Sequence, residues 1–521
     1  MKQKFLGSIV AAALLSTTVI ADDTLMQRFD KMEKEMAALK AEINSLKAEK
    51  AVSAQKTAVV AAPVSEKTAV TSNEDVAKEI DDIKDQLSSI NKKTNGNHLK
   101  WDVDFRSSYD NVQYTMANGS KEKNDAILSN RLWLGMSYAA TKELSFVGQL
   151  AYNKIFGERS LSPDNAQNND GFDWVSGESA YDDTLRVRSA YFFYTDDELA
   201  GLDVPWTISI GRRPSTEGHL INLRDDDHAS SPLAHTINVE FDGASAKFGM
   251  EELTGLDGSY FKLCAGRGMS NAEPRFNPAP YATSKDSTNN VDMVGIIIVP
   301  YDDKQYSSGF QYTYANNLID ITDSSFNTNN IPATSTGIYN PTMEAVGGLH
   351  TATAFAMVNG IGDGWSEFLD DTTVFVSGAM SKTDPYAGKT MLGSNESETG
   401  YSYWIGTQFP SLISDEGRWG AEFNHGSQYW RPITYGEDTL IGSKIAARGD
   451  AYELYFTEPL VGDILSFQLR YTYINYDYSG SNGFFGSTSG TPMAIGDIPA
   501  PMQSSIVDHA QDIRAYIRYR F

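Results

Sequence analysis

The sequence predicts an all-β transmembrane antiparallel barrel of about 16 strands, preceded by an N-terminal α-helical coiled coil. From Leu99 onward, apolar and polar residues alternate with a period of two, which places successive strand side chains on opposite faces. After the N-terminal leader no run of about 18 apolar residues occurs, so an ordinary membrane-spanning helix is not expected. Short connections alternate with long polar ones, a rhythm typical of membrane barrels.

Residues 1–21 predict a secretory signal peptide. Lys2 and Lys4 precede an apolar run that ends at Val19, and the small residue Ala21 stands at the expected cleavage point. No cysteine follows this point closely, so a lipid anchor at the new N-terminus is not expected. We expect the mature chain to leave the cytoplasm without a lipid tether.

Residues 22–50 predict a coiled coil, because apolar residues recur at alternating intervals of 4 and 3 positions. With Phe29 at heptad position a, acidic residues fall at g and lysines at e, the offset at which neighbouring parallel chains pair. We therefore expect a parallel oligomer, while one amphipathic helix packed on its own barrel remains the alternative. The apolar residues are Leu25, Phe29, Met32, Met36, Leu39, Ile43 and Leu46.

Three further segments complete the expected organisation. Residues 51–71, rich in Ala, Val, Lys, Ser and Thr, predict a flexible linker. Residues 72–93 predict a second short helix, because Ser72 and Asp75 form a capping pattern before another run of regularly spaced apolar residues. Residues 98–521 form the expected barrel.

The barrel region contains sixteen segments with strand periodicity. Short connections such as "ATKE" and "PYDDK" are expected to be periplasmic turns, and the long polar connections to be external loops. An even number of strands lets the coiled coil and Phe521 both be periplasmic. The segments span residues 99–110, 126–139, 143–156, 184–195, 204–213, 235–250, 257–268, 290–299, 304–315, 346–359, 370–383, 398–409, 416–430, 447–458, 463–478 and 508–521.

The chain resembles bacterial outer-membrane porins. Its closing "YIRYRF", with Tyr516, Tyr519 and terminal Phe521, is similar to the C-terminal signal by which such barrels are recognised for insertion. The order of signal peptide, heptad helix, barrel and terminal Phe is similar to phosphate-selective porins and to an uncharacterised outer-membrane family that begins with a coiled coil. The resemblance implies location in the outer membrane, contact with its lipid and passage of small hydrophilic solutes. Together with the parallel heptad pattern, it also leads us to expect a homotrimer.

The last strand indicates which face meets lipid. In "DIRAYIRYRF", Arg514, Arg518 and Arg520 share one face, and apolar or aromatic residues occupy the other. An arginine facing lipid near the bilayer centre would cost about 2–4 kcal/mol, so we expect the arginines to face a water-filled lumen. The same alternation predicts lumen-facing basic residues on other strands. These are Arg131, Arg186, Arg188, Lys262 and Arg470.

The predicted lumen face is more basic than acidic, so we expect a weak preference for anions. The acidic residues assigned to it are Asp102, Asp104, Glu453 and Asp512. By analogy with general porins, the loop at residues 214–234 is expected to fold into the lumen and form a constriction opposite Arg131, Arg186 and Arg188. If its carboxylates dominated the narrowest point, selectivity would be cationic. Those carboxylates belong to Glu217, Asp225, Asp226 and Asp227.

No pattern in the sequence predicts an enzyme, a metal site or a cofactor. The seven histidines form no HExxH motif, and "GSTSG" has Thr488 where a nucleophile elbow would have Ser. "RDDDH", residues 224–228, is interpreted as a solvated loop, with a calcium site as the alternative. The net charge of −25 argues against nucleic acid as a partner.

Passive passage of small hydrophilic solutes or ions is the expected function. The alternative is a structural anchor, in which the periplasmic coiled coil holds a cell-wall or periplasmic partner and the barrel only fixes it to the membrane. A sheath for an electron-carrying partner is a further possibility.

Overall fold

The expected signal peptide, coiled coil, linker and second short helix lie outside the residues that the structure describes, and that organisation stays a prediction. The computed structural model describes residues 99–156, 185–270, 272–273, 283–284, 290–321, 343–362, 364–434, 440–481 and 490–521.

Sixteen antiparallel strands close into a barrel, in which each strand pairs with the barrel strands before and after it. The predicted barrel and its predicted number of strands are confirmed. The barrel strands are β1 (Lys100–Met116), β2 (Lys121–Ala139), β3 (Leu144–Ile155), β4 (Arg186–Asp196), β5 (Trp206–Ser215), β6 (Val239–Gly249), β7 (Tyr260–Met269), β10 (Val291–Asp302), β11 (Tyr306–Ile321), β12 (Met343–Asn359), β13 (Thr373–Pro385), β14 (Thr399–Pro410), β15 (Arg418–Gly426), β16 (Gly449–Val461), β17 (Leu465–Tyr476) and β18 (Val507–Arg520).

Other elements in the described ranges are short. None of the helices there is long and apolar enough to span a membrane. These elements are a separate two-stranded sheet of β8 (Ala272–Glu273) and β9 (Thr283–Ser284), the helices α1 (Ile221–Asp225), α2 (Glu251–Thr254) and α3 (Glu367–Asp370), and a 3-10 turn at Ile495–Asp497.

The barrel closes between β1 and β18, whose paired residues run from Asp104 opposite Arg520 to Met116. At the end of this seam the Val103 N–H donates to the Phe521 carbonyl at 2.8 Å, and the Phe521 N–H donates to the Val103 carbonyl at 2.9 Å. Neither strand is left with a free edge, since β1 also pairs with β2 and β18 with β17.

The two faces of β18 differ as its alternation predicts. On the outer face Ile513 and Ile517 are 44% and 50% exposed, while Arg514 and Arg518 on the inner face are 3% and 4% exposed. Inner side chains would be exposed if water alone filled the barrel. Their burial therefore means that protein occupies the interior next to this strand.

Two expected strand boundaries differ from the structure at the hairpin that joins β1 and β2. β1 continues to Met116 and β2 begins at Lys121, so this hairpin extends well beyond the expected ends at residues 110 and 126. "KEKND", residues 121–125, is exposed and polar on both faces. A strand without an apolar face lacks the alternation by which a sequence predicts it.

The polypeptide that fills the barrel comes mainly from two connections. Residues 216–238, between β5 and β6, form what we call the inward segment, which contains α1. It corresponds to the loop expected at residues 214–234, and it also includes His235 and Thr236, which were expected to begin the sixth strand. Residues 440–448, between β15 and β16, form the second inward segment.

Apolar packing holds the inward segment against the far wall of the barrel. Leu220, Ile221 and Leu233 form one buried cluster with Trp404 of β14 and Ile445 of the second inward segment. Each fully buried leucine or isoleucine side chain contributes about 1.5–3 kcal/mol relative to an exposed one. The segment therefore has a hydrophobic core of its own inside the barrel.

Candidate functional site in the barrel interior

The inward segment enters the lumen beside two arginines of β2 and β4. Glu217 lies 3.6 Å from Arg131 and 3.0 Å from Arg188, and both guanidinium groups lie over the ring of Trp133, at 3.6 and 4.0 Å from its centroid. Burial raises the pKa of Glu217, while the two arginines act in the opposite direction. One carboxylate thus faces two cations that are stacked on an aromatic ring.

Side chains of α1, the second inward segment and the wall meet in what we call the central ion cluster. Arg224 Nη1 lies 3.5 Å from Glu453 Oε1 of β16, and Arg470 Nε of β17 lies 4.0 Å from Glu453 Oε2. Lys444 Nζ contacts Glu453 and lies 2.6 Å from Glu422 Oε2 of β15. All five side chains are at most 2% exposed. Charges buried to this extent are tolerated because each has opposite charges as neighbours.

The acidic run after α1 faces β18. Asp227 lies 3.1 Å from Arg518 and 2.8 Å from Arg520, and Arg518 also donates to the backbone carbonyl of Asp225 at 2.8 Å. Asp226 has φ 53, in the left-handed region, and lies 3.6 Å from Arg418. The turn directs the acidic run towards these basic side chains.

The expectation that "RDDDH" is a solvated loop is only partly correct, because its residues differ in exposure. Arg224 and Asp225 are buried, whereas Asp226 and His228 are exposed. Within the described ranges, no group of three or more His, Cys, Asp or Glu residues could hold a metal ion.

His235 holds the returning half of the inward segment against β13 and β14. Its two ring nitrogens lie 2.8 Å from Ser377 Oγ and 2.9 Å from Ser402 Oγ. Its ring packs edge-on against Trp404 and Trp430. Burial lowers the pKa of His235 to about 3, so the ring is neutral at physiological pH.

The inward segment finally pairs with the connection that follows β15. The Asn238 N–H donates to the Ile433 carbonyl at 2.7 Å, and the Ile433 N–H donates to the Thr236 carbonyl at 2.9 Å. These bonds satisfy backbone groups that would otherwise be buried without partners. The segment is thus fixed at both ends and at its centre.

An open cavity of about 550 Å³ lies beside Glu217 and His228 of the inward segment. Its lining includes Asp104, Arg188, Glu217, His228 and Arg520. Carboxylates and basic groups face it together, so a solute entering here would meet both signs of charge.

The predicted pore-lining residues occupy several separate places. Arg131 and Arg188 meet Glu217, while the predicted acidic residues Asp226 and Asp227 meet β18 rather than these arginines. Arg186 begins β4, and the alternation of that strand places it on the same face as Arg188. Arg470 joins the central ion cluster, Arg514 donates to Asp110, and Lys262 lies beside another cavity. That these residues line a conducting path stays a prediction.

Several buried charges in the interior were not among the expected site residues. Glu422 lies on the inner face of β15 with Asn424, a position that strand alternation alone could have indicated. Asp110 of β1 contacts Arg514 of β18. Lys444 and Arg224 come from connections, whose course through the lumen has no periodic signal in the sequence.

A closed barrel with an apolar outer face and a charged interior defines a transmembrane β-barrel of the bacterial outer-membrane type. The chain belongs to the family described as "Protein of unknown function (DUF3373)", whose model matches residues 121–521. Comparison with curated protein sequences finds no match.

Solved outer-membrane proteins are similar to this chain. Salmonella typhi OmpF in complex with daunomycin has 12% identity and a TM-score of 0.43, over 81% of this chain and 98% of that chain. The anion-selective porin from Comamonas acidovorans has 10% identity and a TM-score of 0.44, over 81% and 100%. Pseudomonas putida OprB at high pH has 11% identity and a TM-score of 0.43, over 84% and 97%.

Proposed function

We propose that the protein is an outer-membrane channel through which small hydrophilic solutes or ions pass without covalent chemistry. The observation that carries this proposal is a sixteen-stranded barrel with its charged side chains turned inward. Barrels of this size have room for an aqueous path, whereas eight strands leave an interior that side chains fill. The inward segment would set the width and the charge of that path.

Planar bilayers test this proposal directly. Purified protein should give reproducible conductance steps in KCl, and heat-denatured protein in the same detergent is the control. Steps absent from repeated insertions of correctly folded barrel would contradict the channel.

A weak preference for anions is the proposed selectivity. Arg131, Arg188 and Arg520 lie on or near the open cavity, where Glu217 and Asp227 reduce their positive charge. The reversal potential in a KCl gradient measures the preference, and a cationic sign would contradict it.

A structural anchor is the second candidate function, and the occupied interior favours it. Arg224, Ala234 and Thr236 of the inward segment are each 0% exposed, so part of the lumen is closed to solvent at their level. In this case a periplasmic partner would bind residues 22–93, and the barrel would give no conductance steps. Cross-linking of intact cells followed by mass spectrometry would identify such a partner.

A further inference from the structure

A small cavity of about 70 Å³ lies between the inward segment and the inner faces of β5, β6 and β7. Its lining includes Arg213, Lys262 and Ser245 together with Ile237 and Phe241. The cavity therefore presents basic and hydroxyl groups together with apolar side chains. It is separate from the central ion cluster and from the contact between Glu217 and its two arginines.

The two cations at this cavity have only neutral hydrogen-bond partners in the part of the chain that the structure describes. Lys262, 9% exposed, donates to Ser231 Oγ at 2.5 Å. Arg213 Nη1 donates to Ser209 Oγ at 2.5 Å and to Ser245 Oγ. Arg213 Nε is buried and has no hydrogen-bond partner among the described residues. No carboxylate of those residues lies within ion-pair distance of either cation.

Two other buried arginines of the interior each have a carboxylate neighbour. Arg131 has Asp104 and Glu217, and Arg518 has Asp104. A buried charge without an opposite charge is strongly unfavourable. The repulsion is greater because Lys247 on β6 lies directly opposite Lys262 on β7 in the strand register.

We infer that this cavity binds a weakly hydrated monovalent anion of about the size of a halide or nitrate. About 10–15 Å³ of cavity volume is enough for one water molecule, so the cavity has room for one such ion together with a few water molecules. Arg213 and Lys262 supply positive charge, and Ser245 supplies a hydroxyl group. The apolar part of the lining disfavours a strongly hydrated dianion such as sulfate, which would lose more hydration there. The bound anion links the strand wall to Ser231 of the inward segment.

Thermal unfolding of the full chain in detergent tests the site in solution. A ligand that binds only the folded state raises the melting temperature in a saturable way. We expect sodium bromide to do this relative to sodium gluconate at equal ionic strength, because the polyhydroxylated gluconate would lose more hydration on entering the cavity. Crystals soaked in bromide should show an anomalous peak within contact distance of Arg213 and Lys262.

Three variants separate the site from general salt effects. Lys262→Met should abolish the difference between bromide and gluconate, and Lys262→Arg should retain it. Lys247→Met removes a neighbouring charge that does not line the cavity and should also retain it. An equal response of the wild type to both salts, or bromide peaks only elsewhere, would overturn the inference. Neither readout uses conductance, so this result is independent of whether the barrel conducts.

Discussion

Arg224 of the inward segment and Glu453 of β16 form an ion pair across the barrel interior, with Nη1 and Oε1 3.5 Å apart and both side chains 0% exposed. The two residues are 229 positions apart in the chain. Lys444 of the second inward segment contacts the same carboxylate. Glu453 thus links the inward segment, the second inward segment and the strand wall.

Replacing this glutamate should destabilise the barrel. Glu453→Gln leaves Arg224, Lys444 and Arg470 short of negative charge, and breaking a buried ion pair in this way costs about 3–5 kcal/mol. The free energy of unfolding in urea, followed by tryptophan fluorescence, measures the loss. The control is Asp242→Asn, whose exposed pair with Arg212 should contribute less than about 1 kcal/mol. Equal losses in the two variants would contradict a central role for Glu453.

Glu217 should control the selectivity of the proposed channel. Glu217→Gln removes the carboxylate between Arg131 and Arg188, so the reversal potential in a KCl gradient should shift towards anion preference. Arg188→Gln should shift it towards cations. Glu344→Gln is the control, because Glu344 of β12 forms an exposed pair with Lys389, far from this contact in the strand order. An unchanged reversal potential in Glu217→Gln would mean that the ion path does not pass Glu217.

Acidification should loosen the inward segment through His235. The pKa of a free histidine is about 6.5. Burial lowers the pKa of docked His235 to about 3. The docked state therefore favours neutral histidine, and its contribution to docking is complete above about pH 6.5 and is lost as the pH falls towards 3. Amide hydrogen exchange of residues 216–238, corrected for the intrinsic pH dependence, should show increased opening in acid.

His235→Asn isolates this effect from other titrating groups. His219, whose pKa burial lowers to about 4, acts in the same direction, and Glu217, whose pKa burial raises, acts in the opposite one. The pH dependence of opening should therefore be smaller in His235→Asn than in the wild type. The same dependence in both proteins would show that His235 is not the group responsible.

Cys264, the only cysteine of the chain, can report on motion of the inward segment. It lines the cavity behind that segment, so a methanethiosulfonate reagent should modify it slowly in the folded protein and rapidly after denaturation. Glu453→Gln should increase the folded-state rate, because it loosens the inward segment, and Asp242→Asn should not. A wild-type rate close to the denatured rate would mean that the cavity is open.

Removing residues 22–93 should weaken assembly more than conduction. If the heptads form a parallel trimer, the mass of the detergent-solubilised protein should fall from trimer to monomer, while single-channel conductance stays close to that of the full chain. Mass photometry or light scattering with detergent correction measures the first quantity. A full-length protein that is monomeric after mild extraction would contradict the proposed trimer.

The sequence predicts the barrel well where one face meets lipid and the other does not. In β18 the alternation of Ile513 and Ile517 with Arg514 and Arg518 was sufficient to assign both faces. The alternation is absent from the β1–β2 hairpin, where residues 121–125 are polar on both faces. The membrane imposes the alternation, so strand ends outside it lack the signal.

The interior is less predictable, because its contacts join residues that are distant in sequence. Local alternation places Glu453 and Arg470 on the inner face. No local pattern indicates that Lys444 would meet Glu453, or that His235 would meet Ser377 and Ser402. These partners depend on how two connections cross the lumen, and that course follows from packing against the completed wall.

The seam between β1 and β18 joins strands that are made at opposite stages of synthesis. An exported chain that lacked either strand would present a row of unpaired backbone amides and carbonyls to lipid, where each costs several kcal/mol. A barrel lacking one of these strands is therefore far less stable in lipid than the closed barrel. Pairing at the seam makes membrane stability depend on two segments about 400 residues apart.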